Sequence, residues 1–271
     1  MVRILSIANQ KGGVGKTTTS INLAASLAAY KKRVLLVDLD PQGNTTMGSG
    51  IDKQTCESSV YDVLTEKKSI EDCIVSSETG KYHLLAANAD LVAAEVELIQ
   101  EIGRETRLRH ALEKVADIYD YVIIDCPPSL NMLTVNALVA SDGVIIPMQC
   151  EYYALEGLSA LNNTIKQIAK RINPDLKIEG ILRTMYDPRS SLTNAVSAQL
   201  RKYFGSRVYR VSIPRNVRLA EAPSHGLPAL MYDRNSKGSV AYLALASEIL
   251  RMADSGTGTK TEEQKQANAG Q

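Results

Sequence analysis

Short apolar runs alternate with longer amphipathic stretches along nearly the whole chain. The runs are Val2 to Ala8, Arg33 to Asp38, Tyr82 to Ala87, Tyr121 to Asp125, Gly143 to Met148, Ile178 to Met185 and Val208 to Ile213. They are rich in Val, Ile and Leu and have the length of strands. Between them, Thr18 to Tyr30, Ala89 to Ala116, Leu130 to Ala140, Leu155 to Ile172, Thr193 to Phe204 and Ser239 to Met252 read as helices. In the first of these, Ile21, Leu23, Ala24, Leu27 and Ala28 recur at helical spacing. Continuously apolar strands separated by helices predict an α/β fold, a mostly parallel twisted sheet with helices on both faces. Ligands of such sheets bind beyond the carboxyl ends of the strands, so the residues just after each run are the candidates for chemistry.

The first run breaks into Asn9-Gln10-Lys11-Gly12-Gly13-Val14-Gly15-Lys16-Thr17-Thr18. A phosphate-binding loop reads G-x-x-x-x-G-K-[ST] between a strand and a helix. Here Gly15-Lys16-Thr17 closes the loop as expected, Gln10 stands at the first glycine position, and an additional lysine, Lys11, follows it. Glycines let successive backbone N–H groups curl toward phosphate oxygens, and the following helix adds its positive N-terminal end. Gly12, Gly13, Val14, Gly15 and Thr18 are therefore expected in the cradle. Lys16 is expected on the β/γ-phosphates and the Thr17 hydroxyl on Mg²⁺.

Two further strand ends carry carboxylates. Asp38-Leu39-Asp40-Pro41-Gln42-Gly43-Asn44 closes the second run with aspartates on alternate positions, which suits two different tasks. Asp40, held by the turn that Pro41 and Gly43 impose, is expected to position the attacking water, and Asp38 to support the water shell of Mg²⁺. Turn-forming aspartates are the other reading of both. Asp125-Cys126-Pro127-Pro128-Ser129 closes the fourth run. A strand-end aspartate is where nucleotide hydrolases place the carboxylate that holds Mg²⁺, here through a bound water.

Composition narrows the class. A 271-residue chain with 44% hydrophobic residues can bury one large core, and residues 1–254 read as a single domain. Residues 255–271 lack Leu, Ile, Phe and Trp and read as a disordered polar tail. Cys56, Cys73, Cys126 and Cys150 form no C-x-x-C pair and share no metal-ligand spacing with His83, His110 and His225, so reduced packing thiols are expected. Neither a secretory signal nor a membrane-length apolar run is visible, which suits a soluble cytoplasmic protein. The net charge is +1, so any nucleic-acid surface has to be local. Arg183, Arg189, Arg201, Lys202, Arg207, Arg210, Arg215 and Arg218 meet a single acid, Asp187, between residues 183 and 218. That is the footprint of phosphate-backbone binding, or else a solvated basic face.

Taken together, the Lys11 loop, the Asp38 to Asn44 turn, Asp125 to Ser129, Gln149-Cys150-Glu151-Tyr152-Tyr153-Ala154-Leu155-Glu156-Gly157, and the stretch from Ile213-Pro214-Arg215-Asn216 to Ser224-His225-Gly226 resemble the ParA/Soj chromosome-partitioning ATPases. These belong to the deviant, signature-lysine branch of the P-loop NTPases, with MinD and the nitrogenase iron protein. The match runs from residue 2 to about residue 253. The resemblance implies an Mg²⁺-dependent ATPase that works as a switch. Two ATP-bound copies form a sandwich homodimer, and Lys11 reaches the phosphates of the partner's nucleotide as a catalytic cation in trans. It further implies adenine contacts at Met185, Pro214 and Asn216, and DNA contacts at Arg189 and Arg218. DNA binding would be sequence-independent and ATP-dependent, because no helix-turn-helix or zinc module precedes the domain. A centromere-binding protein of the ParB type would stimulate hydrolysis, and the protein would associate with the nucleoid. A MinD-like membrane-surface ATPase is the alternative; it needs an amphipathic terminal helix, which the polar tail does not provide. An electron-transfer or metabolic enzyme on the same fold would need a cluster-binding cysteine pair or a substrate domain.

Overall fold

The computed structural model describes the backbone of residues 2–152 and 154–268 and, apart from residues 154–156, side chains as far as Asp254. In chain order the elements are β1 (Arg3–Ile7), α1 (Lys16–Ala29), β2 (Val34–Asp38), α2 (Asn44–Gly48), α3 (Val60–Leu64), α4 (Ile70–Cys73), β3 (Ile74–Ser77), β4 (Tyr82–Leu85), α5 (Leu91–Glu97) and α6 (Arg107–Glu113). They continue as β5 (Tyr121–Asp125), α7 (Met132–Ala140), β6 (Gly143–Gln149), α8 (Ala154–Arg171), β7 (Lys177–Tyr186), α9 (Ser191–Phe204), β8 (Val208–Pro214), α10 (Val217–Glu221), α11 (Ala229–Tyr232) and α12 (Lys237–Asn268).

The strands form one sheet in the order β3-β4-β2-β5-β1-β6-β7-β8, parallel except where β3 runs against β4. The chain leaves β1 toward β2 on one side and later fills β6, β7 and β8 on the other. The crevice where strand order reverses thus opens beyond the carboxyl end of β1.

Alternation along each strand divides the core in two. Leu35 and Val37 of β2 and Val122 and Ile124 of β5 face one apolar cluster, while Val34, Leu36, Tyr121 and Ile123 face the other. The second cluster also takes Ile21, Leu23 and Leu27 of α1 and Tyr242, Leu245 and Ile249 of α12. Fully burying such a side chain contributes roughly 1.5–3 kcal/mol, so the two-sided burial holds the strand ends in fixed register. At one edge of the sheet, Glu248 of α12 accepts from the backbone N–H of Arg210 (2.8 Å) and of Val211 (3.0 Å). This blunts the open side of β8.

The structure differs from the sequence reading in three places. β3 is an additional strand, half polar and only four residues long. A run that short gives too little period-two signal to stand out. The helix expected over Ala89 to Ala116 is interrupted: α5 passes into a 3₁₀ turn at Leu98–Gln100, and Gly103, at φ +72°, turns the chain before α6. A left-handed residue cannot continue a right-handed helix. α12 continues past the expected end at Met252, and the side chains of the expected polar tail lie outside the described ones. Cys73, Cys126 and Cys150 are buried free thiols, and Cys56 is half-buried. Among the described residues no helix is long and apolar enough to cross a membrane.

Candidate nucleotide and phosphoryl-transfer site

The loop after β1 is fixed by its neighbours before any ligand arrives. Asn9 donates its side-chain amide to the Pro147 carbonyl (2.7 Å) and accepts from the Lys11 N–H (3.0 Å). Thr184 Oγ1 donates to the Val14 carbonyl (2.8 Å), and Gln149 Nε2 to that of Gly13 (3.2 Å). Gly13 and Gly15 hold φ of +72° and +89°, which a side chain would strain. Gly15 is also the N-cap of α1 and supplies no side-chain cap, so the first N–H groups of that helix stay available to an anion. This uncapped helix start is the feature that fits a bound triphosphate. Lys16 is largely buried, its ammonium on the Lys11 carbonyl at 3.3 Å, and burial lowers its pKa against the pull of Asp125 and Asp40. A nearly buried cation with a single carbonyl as its hydrogen-bond acceptor among the described residues gains strongly from a phosphate.

Lys11 behaves differently. Its ammonium lies 2.5 Å from Glu151 Oε2, with 47% and 50% of the two side chains exposed. The extra lysine therefore stands on the rim of the crevice, paired with the segment that follows β6. An added Cβ on Gly12 would meet nothing within 4 Å.

Parallel pairing sets Asp38 of β2 beside Asp125 of β5. Asp125 is fully buried and accepts from the hydroxyls of Thr17 (2.9 Å), Ser20 (2.9 Å) and Thr45 (2.6 Å). Burial raises its pKa to about 6, and the three hydroxyls hold it back. Asp38 is equally buried and is raised to about 7, by burial first and the Asp125 carboxylate second. Its oxygens accept from the Thr46 N–H (2.8 Å), the Thr46 hydroxyl (2.7 Å) and the Asp40 N–H (3.1 Å). In this structure Asp38 organises the turn. Thr17 and Asp125 form the oxygen pair suited to Mg²⁺. Asp40 is half-exposed; one carboxylate oxygen accepts from the Gln42 N–H (3.0 Å), and the other has no hydrogen-bond partner among the described residues. Gly43, at φ +61°, closes the turn where a Cβ would come within 2.9 Å of the Ala87 carbonyl.

Met185, Pro214 and Asn216 line one cavity of about 180 Å³ together with Gly15, Leu219 and Tyr242. Met185 holds a left-handed φ of +48°, and the buried Asn216 Oδ1 has no hydrogen-bond partner among the described residues. An apolar slot next to the phosphate loop, with one buried acceptor in want of a donor, is the shape and chemistry that a purine amine satisfies.

The basic stretch does not form one surface. Arg183 is buried and donates to Ser197 Oγ and to the Tyr209 and Arg210 carbonyls, so it is part of the frame. Arg189 pairs with Asp187 (2.9 Å) and Arg218 with Glu221 (2.9 Å) and Asp233 (3.3 Å), all near the carboxyl ends of β7 and β8. Arg201, Arg207 and Arg210 line a separate open groove near the start of β8.

The structure brings the glycines, Lys16, Thr17 and the three aspartates singled out in the sequence to one crevice. Sequence reasoning assigned no role to Ser20 of α1, to Thr45, Thr46 and Thr184, whose hydroxyls reach the site from other elements, or to Glu151. The spacing of Ser20 one helical turn after Lys16, on the buried face of α1, was the only available signal.

A family model described as an AAA domain matches residues 2–178. The chain is 55% identical over 249 residues to the sporulation initiation inhibitor protein Soj of Bacillus subtilis, covering 92% of this chain and 98% of that protein. It is 52% identical over 249 residues to the chromosome partitioning protein ParA of Myxococcus xanthus, covering 92% and 88%. Among solved structures, cobyrinic acid a,c-diamide synthase from Mycobacterium smegmatis with bound ADP and magnesium superposes with a TM-score of 0.84 at 40% identity, covering 94% of this chain and 97% of that one.

Proposed function

The chain belongs to the ParA/Soj family of chromosome-partitioning ATPases and hydrolyses ATP with Mg²⁺, and on that premise we propose that two ATP-loaded copies close face to face and that the closed pair holds DNA. The partitioning names are carried by the relatives at 55% and 52% identity, above the 40% of the diamide synthase. The observation that carries the dimer is the place of Lys11. It is half exposed on the rim, held by Glu151, next to a Gly12 with open space around it. A cation so placed can cross to a second nucleotide, offsetting repulsion between two anionic sites and stabilising charge in phosphoryl transfer.

Within one chain, Lys16 and the N–H groups of the loop and of the start of α1 bind the phosphates. The Thr17 hydroxyl, and Asp125 through a bound water, would hold Mg²⁺, which would offset charge on the phosphate oxygens. Asp40 orients the attacking water with its unpartnered oxygen, and the Met185, Pro214 and Asn216 cavity takes the adenine. Arg189 and Arg218 contact DNA phosphates once closure sets two weak basic surfaces side by side, a pairing that can raise affinity by about 10²- to 10⁴-fold. A ParB-type partner speeds hydrolysis and so releases the DNA.

The deciding measurement is retention of plain duplex DNA with ATP, ADP or no nucleotide. Retention with ATP alone is expected, lost in Lys16→Ala and prolonged in Asp40→Ala, which binds ATP without hydrolysing it. Equal retention in all three nucleotide states would refute the switch.

A further inference from the structure

α5 and the 3₁₀ turn after it are apolar on two opposite faces. Leu91, Ala94 and Leu98 point inward and are at most 1% exposed. On the other side Val92, Val96, Ile99 and Ile102 are 60%, 69%, 59% and 96% exposed. Val92, Val96 and Ile99, spaced four and three residues apart, form one stripe on the helical segment, and Ile102 follows in the turn beyond the extended Glu101. Isolated aliphatic side chains on a surface are ordinary, whereas a continuous stripe marks a place where another molecule sits.

The charge around the stripe is one-sided. Asp90, Glu95, Glu97, Glu101 and Glu105 flank it against Arg104, in a chain whose net charge is +1. Lys67 reaches Glu97 at 3.5 Å, Arg107 reaches Glu101 at 3.0 Å and Arg104 reaches Glu105 at 3.3 Å, so the excess rests on Asp90 and Glu95, which have no cation partner among the described residues. A second copy of the same face would set acids against acids in a two-fold contact. The complement is a basic segment.

The stripe is also connected to the nucleotide site. Glu95, between Val92 and Val96, accepts from the side-chain amide of Asn131. Asn131 caps α7 by accepting from the Thr134 N–H at 3.1 Å, and it ends the loop that starts at Asp125. Leu130 in that loop is 38% exposed beside it.

We propose that the stripe of Val92, Val96 and Ile99, with the exposed Ile102 just beyond its end, docks a short amphipathic helix of a partner protein, apolar on one face with Lys or Arg beside it. From residue 92 to 100 the helical segment rises about 13 Å, so some two to three turns of the partner suffice. Docking does not depend on the function proposed above; only its effect on turnover, through Glu95 and Asn131, rests on that reading.

The test uses the full chain and two fluorescent peptides, one of Leu and Lys and one of Leu and Glu, both with Leu at three- and four-residue spacing. By anisotropy, the Leu/Lys peptide should bind at least about tenfold more tightly to the parent than to Val96→Asp/Ile99→Asp, and the Leu/Glu peptide should bind neither. Both replaced residues are exposed, so an unchanged melting temperature is expected. Ile102→Asp, at the most exposed position, repeats the comparison should the double variant misfold. Equal affinity for parent and variants, or no preference for the basic peptide, would overturn the proposal. So would nucleotide-independent self-association of the parent that the variants lose, which would make the occupant a second copy. Peptide binding that leaves ATP turnover unchanged would uphold docking and remove only the link to hydrolysis.

Discussion

Lys11 and Glu151 form an exposed pair, and exposed pairs contribute only about 0–1 kcal/mol. Such a contact can hold an ammonium in one place without preventing it from leaving. If Lys11 crosses to a partner's nucleotide, the pair has to break on closure. Lys11→Ala and Glu151→Gln should then act in opposite directions. Sedimentation with ATP should show no dimer for Lys11→Ala. For Glu151→Gln the dimer should appear at ATP concentrations up to about fivefold lower, the factor that 1 kcal/mol allows. Gly12→Val tests the same closure sterically. A side chain at position 12 meets nothing within 4 Å in the single chain, so the variant should fold and bind ATP normally yet elute as a monomer on a sizing column.

The ends of β2 and β5 act as one unit, because parallel register sets two buried carboxylates side by side. Both are raised from the ordinary value of 3.8, Asp125 to about 6 and Asp38 to about 7. A carboxyl group raised in the folded state keeps its proton longer than in the unfolded chain. Its contribution to stability is therefore complete below about 3.8 and is lost as the pH rises through 6 and 7. For Asp125 alone the loss is on the order of 3 kcal/mol. The nucleotide-free protein should melt at lower temperature at pH 8 than at pH 5. Added Mg²⁺ and ATP should recover more stability at pH 8, where Asp125 is ionised, and Asp125→Asn should flatten both trends in a thermal melt. Much of this arrangement was legible in the sequence because it is local: a strand, a turn residue and a carboxylate in consecutive positions. The hydroxyls of Ser20, Thr45 and Thr46 were not, since they arrive from α1 and α2 by tertiary packing. β3 and the break at Gly103 escaped for the converse reason, as a short edge strand and one left-handed glycine leave the hydrophobic period almost unchanged.

Charge at the scale of the whole molecule cannot be counted along the chain. The stretch from 183 to 218 has one acid in sequence, yet Glu179, Glu221, Asp233 and Glu248 join it in space. Two of these are already committed, Glu179 to Arg3 and Glu248 to the backbone of β8. Backbone N–H groups carry no net charge, so Glu248 still offsets part of the positive charge, and the groove of Arg201, Arg207 and Arg210 keeps only an excess of it. Arg189 and Arg218 instead carry their own counter-ions, which DNA phosphates would have to displace. If DNA is gripped by the ATP-bound pair, these two kinds of arginine should respond differently to removal. The groove lies near the start of β8, apart from Arg189 and Arg218, so Arg207→Ala/Arg210→Ala should leave the slope of log affinity against log salt almost unchanged, whereas Arg189→Ala/Arg218→Ala should make it shallower by about 2 per chain. Arg189→Ala also releases the Asp187 carboxylate toward the DNA. Its affinity loss at low salt should exceed that of either groove arginine replaced singly, and Asp187→Asn should restore part of it. A filter-binding salt titration of these variants with ATP present checks both points. Equal losses for all arginines would mean that DNA also lies in the groove and would refute its assignment to Arg189 and Arg218 alone.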